Sequence, residues 1–293
     1  ETLDKKYGKQ VDLAHRSTYN PFTKKQFAVS DMWVPDPGNY HKKIWTDIGQ
    51  PNGPSTYEDL VKAAPEIKKK FPQMQIPIGI GLSQDIDSNM AVRNMLWCHG
   101  GSIQDKDGNV VLNSPETLNA LEYAKRLFSV GMTQAVLSWN AASNNQAFNA
   151  QETSYILNSI SAYRTAQDNN LPVLENYFFV PALKGPTGIQ LASEHVMSGY
   201  VVWKFSKSQE AAKEFLVALI DASRESMLAS KLYNFPSFYG AAADPGTPMN
   251  KKYESGAAWI SQQCNNDPFG SKPADKLALL AKALPWSTNL GYP

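Results

Sequence analysis

The sequence is poor in the residues that would commit it to several kinds of chemistry. Its two cysteines, Cys98 and Cys264, lie far apart, and neither stands in a Cys-x-x-Cys or Cys/His spacing. That removes the usual zinc patterns, and two buried thiols are favoured over a disulfide. A chain long enough to bury a sizeable core has no need of such a staple. No apolar run approaches the roughly 18 residues that span a bilayer. Charge of one sign is missing too: the net charge is +1, with no basic block and no acidic tail. Nucleic acid and anionic membrane are therefore poor partners. There is no Gly-x-Ser-x-Gly, His-Glu-x-x-His or phosphate-binding loop, and Gly79-Ile80-Gly81 is only a fragment of a dinucleotide fingerprint. Asp85 and Asp87 share one turn, while Asp36 and Glu194 are remote in sequence. Nothing fixes the facing carboxylate pair that a glycosidase requires. No catalytic residue, metal-ligand set or cofactor is expected. The chain begins at Glu1 without a charged-then-apolar leader, so any secretory signal is expected to have been removed or to lie outside it.

What is present is a two-domain length and many rings. A chain of 293 residues exceeds one typical domain, and 42% hydrophobic against 19% charged residues suffices for a sizeable core. Seven Trp and thirteen Tyr in a near-neutral protein suit core, interface or ring-stacking surface. Short apolar runs alternate with helical patterns. Phe27 to Val29, Ile76 to Leu82, Ser154 to Leu157, Tyr177 to Val180 and Tyr200 to Phe205 predict strands. Tyr40 to Ile48 reads as helical or extended. Ser55 or Thr56 opens a helix bearing Leu60, Val61 and Ala64 on one face. The Asp85–Asn89 stretch supplies N-cap residue types before an apolar helix through Cys98. Asp107-Gly108 predicts a hairpin turn. Ser114-Pro115-Glu116 starts a helix with Leu118, Leu121, Leu127 and Phe128 inward and Gly131 closing it. Ser206 with Gln209 forms a capping-box pattern before Ala211, Ala212, Phe215, Leu216, Leu219 and Ile220. A last helix is predicted near Lys276 to Leu284. The class is α/β.

Taken in order, several segments resemble the family 1 extracellular solute-binding proteins, the maltose-binding-like group. Lys25 to Val29 followed by Asn39-Tyr40-His41-Lys42-Lys43-Ile44-Trp45-Thr46-Asp47-Ile48-Gly49 is similar to that family's strand and the segment after it. Pro54-Ser55-Thr56-Tyr57-Glu58-Asp59-Leu60, Asn113 to Glu116, Phe148 to Tyr155, Ser206 to Leu219 and Asn234-Phe235-Pro236 continue the likeness in the family's order. The resemblance implies a two-lobed periplasmic-binding-protein fold of type II, with an interlobe cleft that closes by hinge motion around a ligand. Residues 1–37 would be part of lobe one and the first crossing, 38–190 lobe two, and 191–293 an incomplete return to lobe one. The family's opening strand–helix–strand unit and its closing helices have no counterpart here. The chain is therefore expected to be a fragment, a partly resolved protein or a permuted arrangement. The function implied is capture of a sugar or related polyhydroxylated solute for an ABC transporter, whose membrane subunits would be the partner. The expected setting is periplasmic or extracellular, as a monomer, with a lipid anchor held by a segment outside this chain. A non-transport interaction module on the same fold is the alternative, and an enzyme acting on glycosides the remotest.

A sugar site needs flat apolar faces for ring C–H surfaces and planar polar groups for hydroxyls. Trp33 and Asp36 lie in a Pro-rich loop at the first crossing, where they stack and accept hydroxyl protons or serve as a plug and a turn. Asp87, Ser88 and Asn89, with Asp85, sit between a strand and a helix, a junction where the resemblance places ligand contacts. One of the four is expected to be merely the N-cap, and the loop lacks an EF-hand ligand spacing. Trp139 with Asn144 and Asn145 suits hydroxyl recognition or a solvated turn. Asn158, Ser161 and Tyr163 follow a strand at a position where the family commonly carries an aromatic; Ser or Tyr stands there in place of Trp. Arg164 clamps a carboxylate or, by default, forms a salt bridge. His195 donates to a hydroxyl or is structural. Tyr233 and Trp286 are further stacking candidates. Trp203, inside an apolar run, reads as core.

Overall fold

The computed structural model describes residues 2–194, 197–265 and 282–289. The chain divides into two compact units. One comprises Glu1–Val34 and Val196–Lys282, the other Pro35–His195 and Ala283–Pro293. In the first unit come α1 (Thr2–Tyr7), α2 (Asp12–Thr18), β1 (Tyr19–Asn20), β2 (Lys25–Gln26) and β3 (Met32–Trp33). The second unit follows with β4 (Gly38–His41), α3 (Lys42–Asp47), α4 (Tyr57–Lys70), α5 (Ile86–Cys98) and α6 (Pro115–Gly131). It continues through α7 (Ser143–Asn149), β5 (Tyr155–Leu157), α8 (Ser161–Asp168), β6 (Tyr177–Val180) and β7 (Ala192–Glu194). The chain then returns to the first unit for α9 (Gln209–Asp221), α10 (Ser223–Ala229), β8 (Phe235–Pro236) and α11 (Lys252–Asn265). It ends in the second unit with β9 (Ser287–Asn289), which pairs parallel to β7.

The second unit is organised by β4, the middle strand of an antiparallel sheet ordered β5-β4-β6. Asn39 stands opposite Ile156 on one side and Phe179 on the other. All four residues of β4 are buried. Gly38 is required there, because a Cβ would lie 2.7 Å from both the Tyr155 hydroxyl and Val180 Cγ2. Helix α4 begins where Thr56 and Asp59 cap it reciprocally, each side chain receiving a backbone amide of the other. Its apolar stripe of Tyr57, Leu60, Ala63, Ala64 and Ile67 packs into a core with Met95 and Cys98 of α5, Tyr123 and Leu127 of α6, and Ile78. Each fully buried aliphatic side chain contributes about 1.5–3 kcal/mol. Cys98 is a buried free thiol, its pKa pushed up to about 11 chiefly by that burial. It is an inert packing group.

Several sequence expectations are corrected. Ile76 to Leu82 forms no strand; its pairing is a bridge between Ile78 and Tyr155, flanked by the Ser154 amide on the Pro77 carbonyl and the Gly79 amide on the Tyr155 carbonyl. On α6 the inward residues are Ala120, Tyr123, Leu127 and Gly131, while Leu118 and Leu121 are exposed. In the first unit, strand pairing falls on Lys25–Gln26 with Tyr19–Asn20, and Val29 makes only a bridge to Tyr200. Tyr200 to Phe205 forms no strand; Trp203 is 63% exposed and stacks on Phe205 at 5.6 Å instead of entering a core. The N-cap of α9 is Ser208, and the Ser206 hydroxyl receives the Ser208 amide at 3.2 Å. Of the apolar positions expected inside α9, Ile220 alone is buried. The helix expected near Lys276 lies largely outside the described residues, and Leu284–Trp286 is a short 3-10 turn. Asp107-Gly108 does close a hairpin, bridged by Gln104 and Val110.

Candidate functional site

Three stretches that are remote in sequence converge in the second unit. The first is the start of α5. Asp85 caps it, accepting the Asp87 amide at 3.1 Å, and Asn89 donates back to the Asp85 carbonyl at 2.8 Å while remaining exposed. In the first turn Ile86 stays exposed while Asp87 and Ser88 are buried. The second stretch runs from Trp139 through α7. The third leaves the end of β5 at Asn158 and enters α8 at Ser161.

Asn144 is the junction. It donates to Asp87 Oδ2 at 3.0 Å and accepts the Asn145 amide at 2.7 Å and Asn158 Nδ2 at 3.3 Å. Asn158 Nδ2 also donates, over a short contact, to the Asn145 side-chain oxygen. Asn145 donates in turn to Ser161 Oγ at 3.2 Å. Asn158 Oδ1 accepts the Ser159 amide at 2.7 Å. Next to Asp87, Ser88 Oγ receives the Ser83 amide at 3.1 Å and shares a hydroxyl contact with Ser83, 3.1 Å. Ser83 donates to the Trp139 carbonyl. Gly81 permits this approach, since a Cβ there would meet Ser88 Oγ at 2.7 Å. Trp139 is thereby fixed through its backbone with its indole half-buried. Hydrogen bonds thus join five of the residues singled out from the sequence, Asp87, Asn144, Asn145, Asn158 and Ser161, while Ser88 and the Trp139 backbone form a second set through Ser83.

The others are placed differently. Tyr163 is buried, its ring edge-on to Tyr177 and Phe179. Asp36 is buried just ahead of β4, and Trp286 is buried in the 3-10 turn before β9. Trp33 belongs to the first unit, fully enclosed and packed on Phe235 with ring centroids 5.3 Å apart. Removing that indole would open a cavity, so its substitution reports on packing first. Tyr233 is half-buried in the first unit. His195 lies outside the described residues. Arg164 forms the default ion pair, with Asp168 one turn on at 3.5 Å. Sequence reasoning missed Ser83 and Asn39. Ser83 closes the extended Ile76–Leu82 run and was legible only as a strand end; Asn39 sits inside a strand, where an amide gives no outward signal.

Apart from the Asp87 carboxylate, the side chains in these hydrogen bonds are neutral amides and hydroxyls, with the half-buried Trp139 held by its carbonyl. Such a set can exchange donors and acceptors with hydroxyls around one flat apolar face. It contains no nucleophile paired with a base of the triad kind. Among the described residues no cluster of three or more His, Cys, Asp or Glu side chains could hold a metal ion.

Residues 38–255 match the family described as bacterial extracellular solute-binding protein. The chain belongs to that family. Two curated relatives, from Brucella abortus (strain 2308) and Brucella suis biovar 1 (strain 1330), are named only as binding proteins. Each is 24% identical over 179 residues, or 60% of this chain, and the chain spans 42% of their length. Among solved structures, maltose-bound MalE3 of T. maritima matches with a TM-score of 0.67 at 18% identity, over 95% of this chain and 76% of that one. A sugar transporter from Arthrobacter chlorophenolicus A6 with bound laminaribiose gives 0.68 at 18%, over 99% and 67%. A solute-binding protein from Agrobacterium radiobacter K84 in complex with ribitol gives 0.67 at 16%, over 94% and 70%. This solute-binding protein thus has the α/β fold of the maltose-binding-like periplasmic proteins. Among its described residues no helix is long and apolar enough to cross a membrane.

Proposed function

We propose that this chain captures a neutral sugar or related polyol and passes it to an ABC importer outside the cytoplasm, without chemical turnover. In this reading Trp139, Asn145 and Ser161 touch the solute, and Asp87, Ser88, Asn144 and Asn158 hold them in place. The observation that carries it is the convergence of three loop stretches in two neighbouring hydrogen-bonded sets, one joining Asp87, Asn144, Asn145, Asn158 and Ser161, the other joining Ser88, Ser83 and the backbone of the half-buried Trp139. The ligands of the three structural neighbours, maltose, laminaribiose and ribitol, are neutral and polyhydroxylated, in keeping with this choice.

Titration calorimetry of the purified chain against maltose, laminaribiose, ribitol, an amino-acid mixture and spermidine tests the proposal. Saturable heat is expected with at least one of the three polyols, with the compound recovered unchanged. Trp139→Ala should weaken that binding by at least about 1 kcal/mol, roughly fivefold, if the indole stacks. Release of product would establish an enzyme. Silence across the whole panel would favour an interaction module on this fold.

A further inference from the structure

We propose that Asn39 is a positioning residue that couples the polar network to the point where the chain enters the second unit; this rests on reading the network as the solute contact. The chain enters that unit at Pro35, and only Asp36, Pro37 and Gly38 separate the entry from Asn39. Asn39 is completely buried in the central strand. An amide in such a place must find partners on all sides or cost stability. Here one nitrogen serves two masters: Asn39 Nδ2 donates to the Pro37 carbonyl at 3.0 Å and to the Asn158 carbonyl at 3.0 Å. Its oxygen accepts the Tyr177 hydroxyl at 2.7 Å, which fixes the direction in which the nitrogen points.

The consequence follows from where the two carbonyls lie. Pro37 is the last residue before β4, on an entry segment whose two prolines have no amides of their own to anchor it. Asn158 carries the side chain that joins Asn144 to Asn145. One buried side chain therefore spans from the entry segment to the centre of the network. A shift of Asn158, as solute engages Asn145 or Ser161, is transmitted to Pro37 through a single rigid amide. The bland alternative is that Asn39 only satisfies the nearby Pro37 carbonyl, with Asn158 an incidental acceptor.

Hydrogen exchange of the intact chain, read by mass spectrometry, separates the two and needs no solute. The variants are Asn39→Leu, which removes both donations at similar volume, and Tyr177→Phe, which keeps the ring and frees the Asn39 oxygen. Under the proposal both variants speed exchange about fivefold, the size expected from losing one net hydrogen bond, in peptides covering 34–41 and also in those covering α7, 143–149, which is not a sheet partner of β4. Peptides of α4 and α6 should be unchanged. Acceleration confined to 34–41 and the paired strands, 155–157 and 177–180, would overturn the coupling. Should Asn39→Leu fail to fold, Tyr177→Phe alone decides. A silent sugar panel would sink the solute reading, whereas the exchange result bears on the coupling itself.

Discussion

At the scale of single residues, His41 shows how burial sets chemistry. It lies in β4 with its ring stacked on Phe148 at 3.9 Å, and its Nε2–H donates to the Phe148 carbonyl at 2.9 Å. Nδ1 is buried and has no hydrogen-bond partner among the described residues. A proton there would put a charge and an unmatched donor into the core. Burial accordingly lowers its pKa to about 4, against a smaller opposing effect of the Phe148 carbonyl. The unfolded chain protonates this ring near pH 6.5 and the folded chain near 4, so the unfolded state binds the extra proton between those values. Stability from this residue is full above pH 6.5 and falls through the window down to about 4, by roughly 3 kcal/mol in all. His41→Phe cannot titrate but loses the bond to Phe148. Its deficit relative to the natural protein, large at pH 7.5, should shrink by roughly that amount at pH 4. Urea unfolding midpoints at the two pH values measure it, and parallel pH curves for the two proteins would refute the assignment. The same scale explains why rings were hard to sort from sequence. Trp33, read as a ligand contact or a plug, is enclosed against Phe235, while Trp203, read as core, lies open. An indole carries the same residue signal in both places, and only the packing around it decides.

At the scale of elements, the caps of α4 and α6 were legible in residue type, whereas the Ser206–Gln209 pattern does not cap α9, where Ser208 stands at the N-cap and Gln209 donates to the Lys204 carbonyl. Thr56 and Asp59 satisfy each other's amides at the start of α4. Thr56→Ala should cost about 1 kcal/mol. Ser208, which stands at the N-cap of α9 without a side-chain cap bond, should tolerate alanine within about 0.5 kcal/mol. Chemical denaturation of the two variants provides the comparison, and equal losses would show that the hydrogen-bond geometry at these caps does not govern their worth. Helix α6 is readable from Ser114 and Pro115, and Leu127 and Phe128 do face the core, but in its first turns Ala120 and Tyr123 are inward where the pattern points to Leu118 and Leu121. The candidate site was legible in kind: three polar clusters were visible, Asp87-Ser88 at the start of α5, Asn144-Asn145 at the start of α7 and Asn158 after β5. Their union was not, since hydrogen bonds such as Asn144 to Asp87 span 57 positions and depend on topology that periodicity does not encode.

At the scale of the whole molecule, the two units differ in how well their sequence pattern is spent. In the second unit the apolar stripes of α4 and α5 and the three sheet strands meet in one core. In the first, α9 buries Ile220 and half-buries Leu216, Val217 and Leu219, but Phe215 is 62% exposed and Phe205, just ahead of the helix, 81%. Trp203 stacks beside Phe205 without being covered. Exposed large rings in one neighbourhood of sequence are uncommon on a monomeric soluble surface and promote association. This chain should therefore bind an apolar fluorescent dye in its native state and show concentration-dependent association at micromolar levels. Replacing Trp203, Phe205 and Phe215 together by serine should remove both behaviours. It should leave the urea midpoint nearly unchanged, because side chains already in water lose little burial when truncated. Light scattering and dye titration on the two proteins read the outcome. If the triple variant associates as strongly as the natural sequence, the rings are not the cause. If it instead unfolds at markedly lower urea, they are packed in solution and the surface is closed.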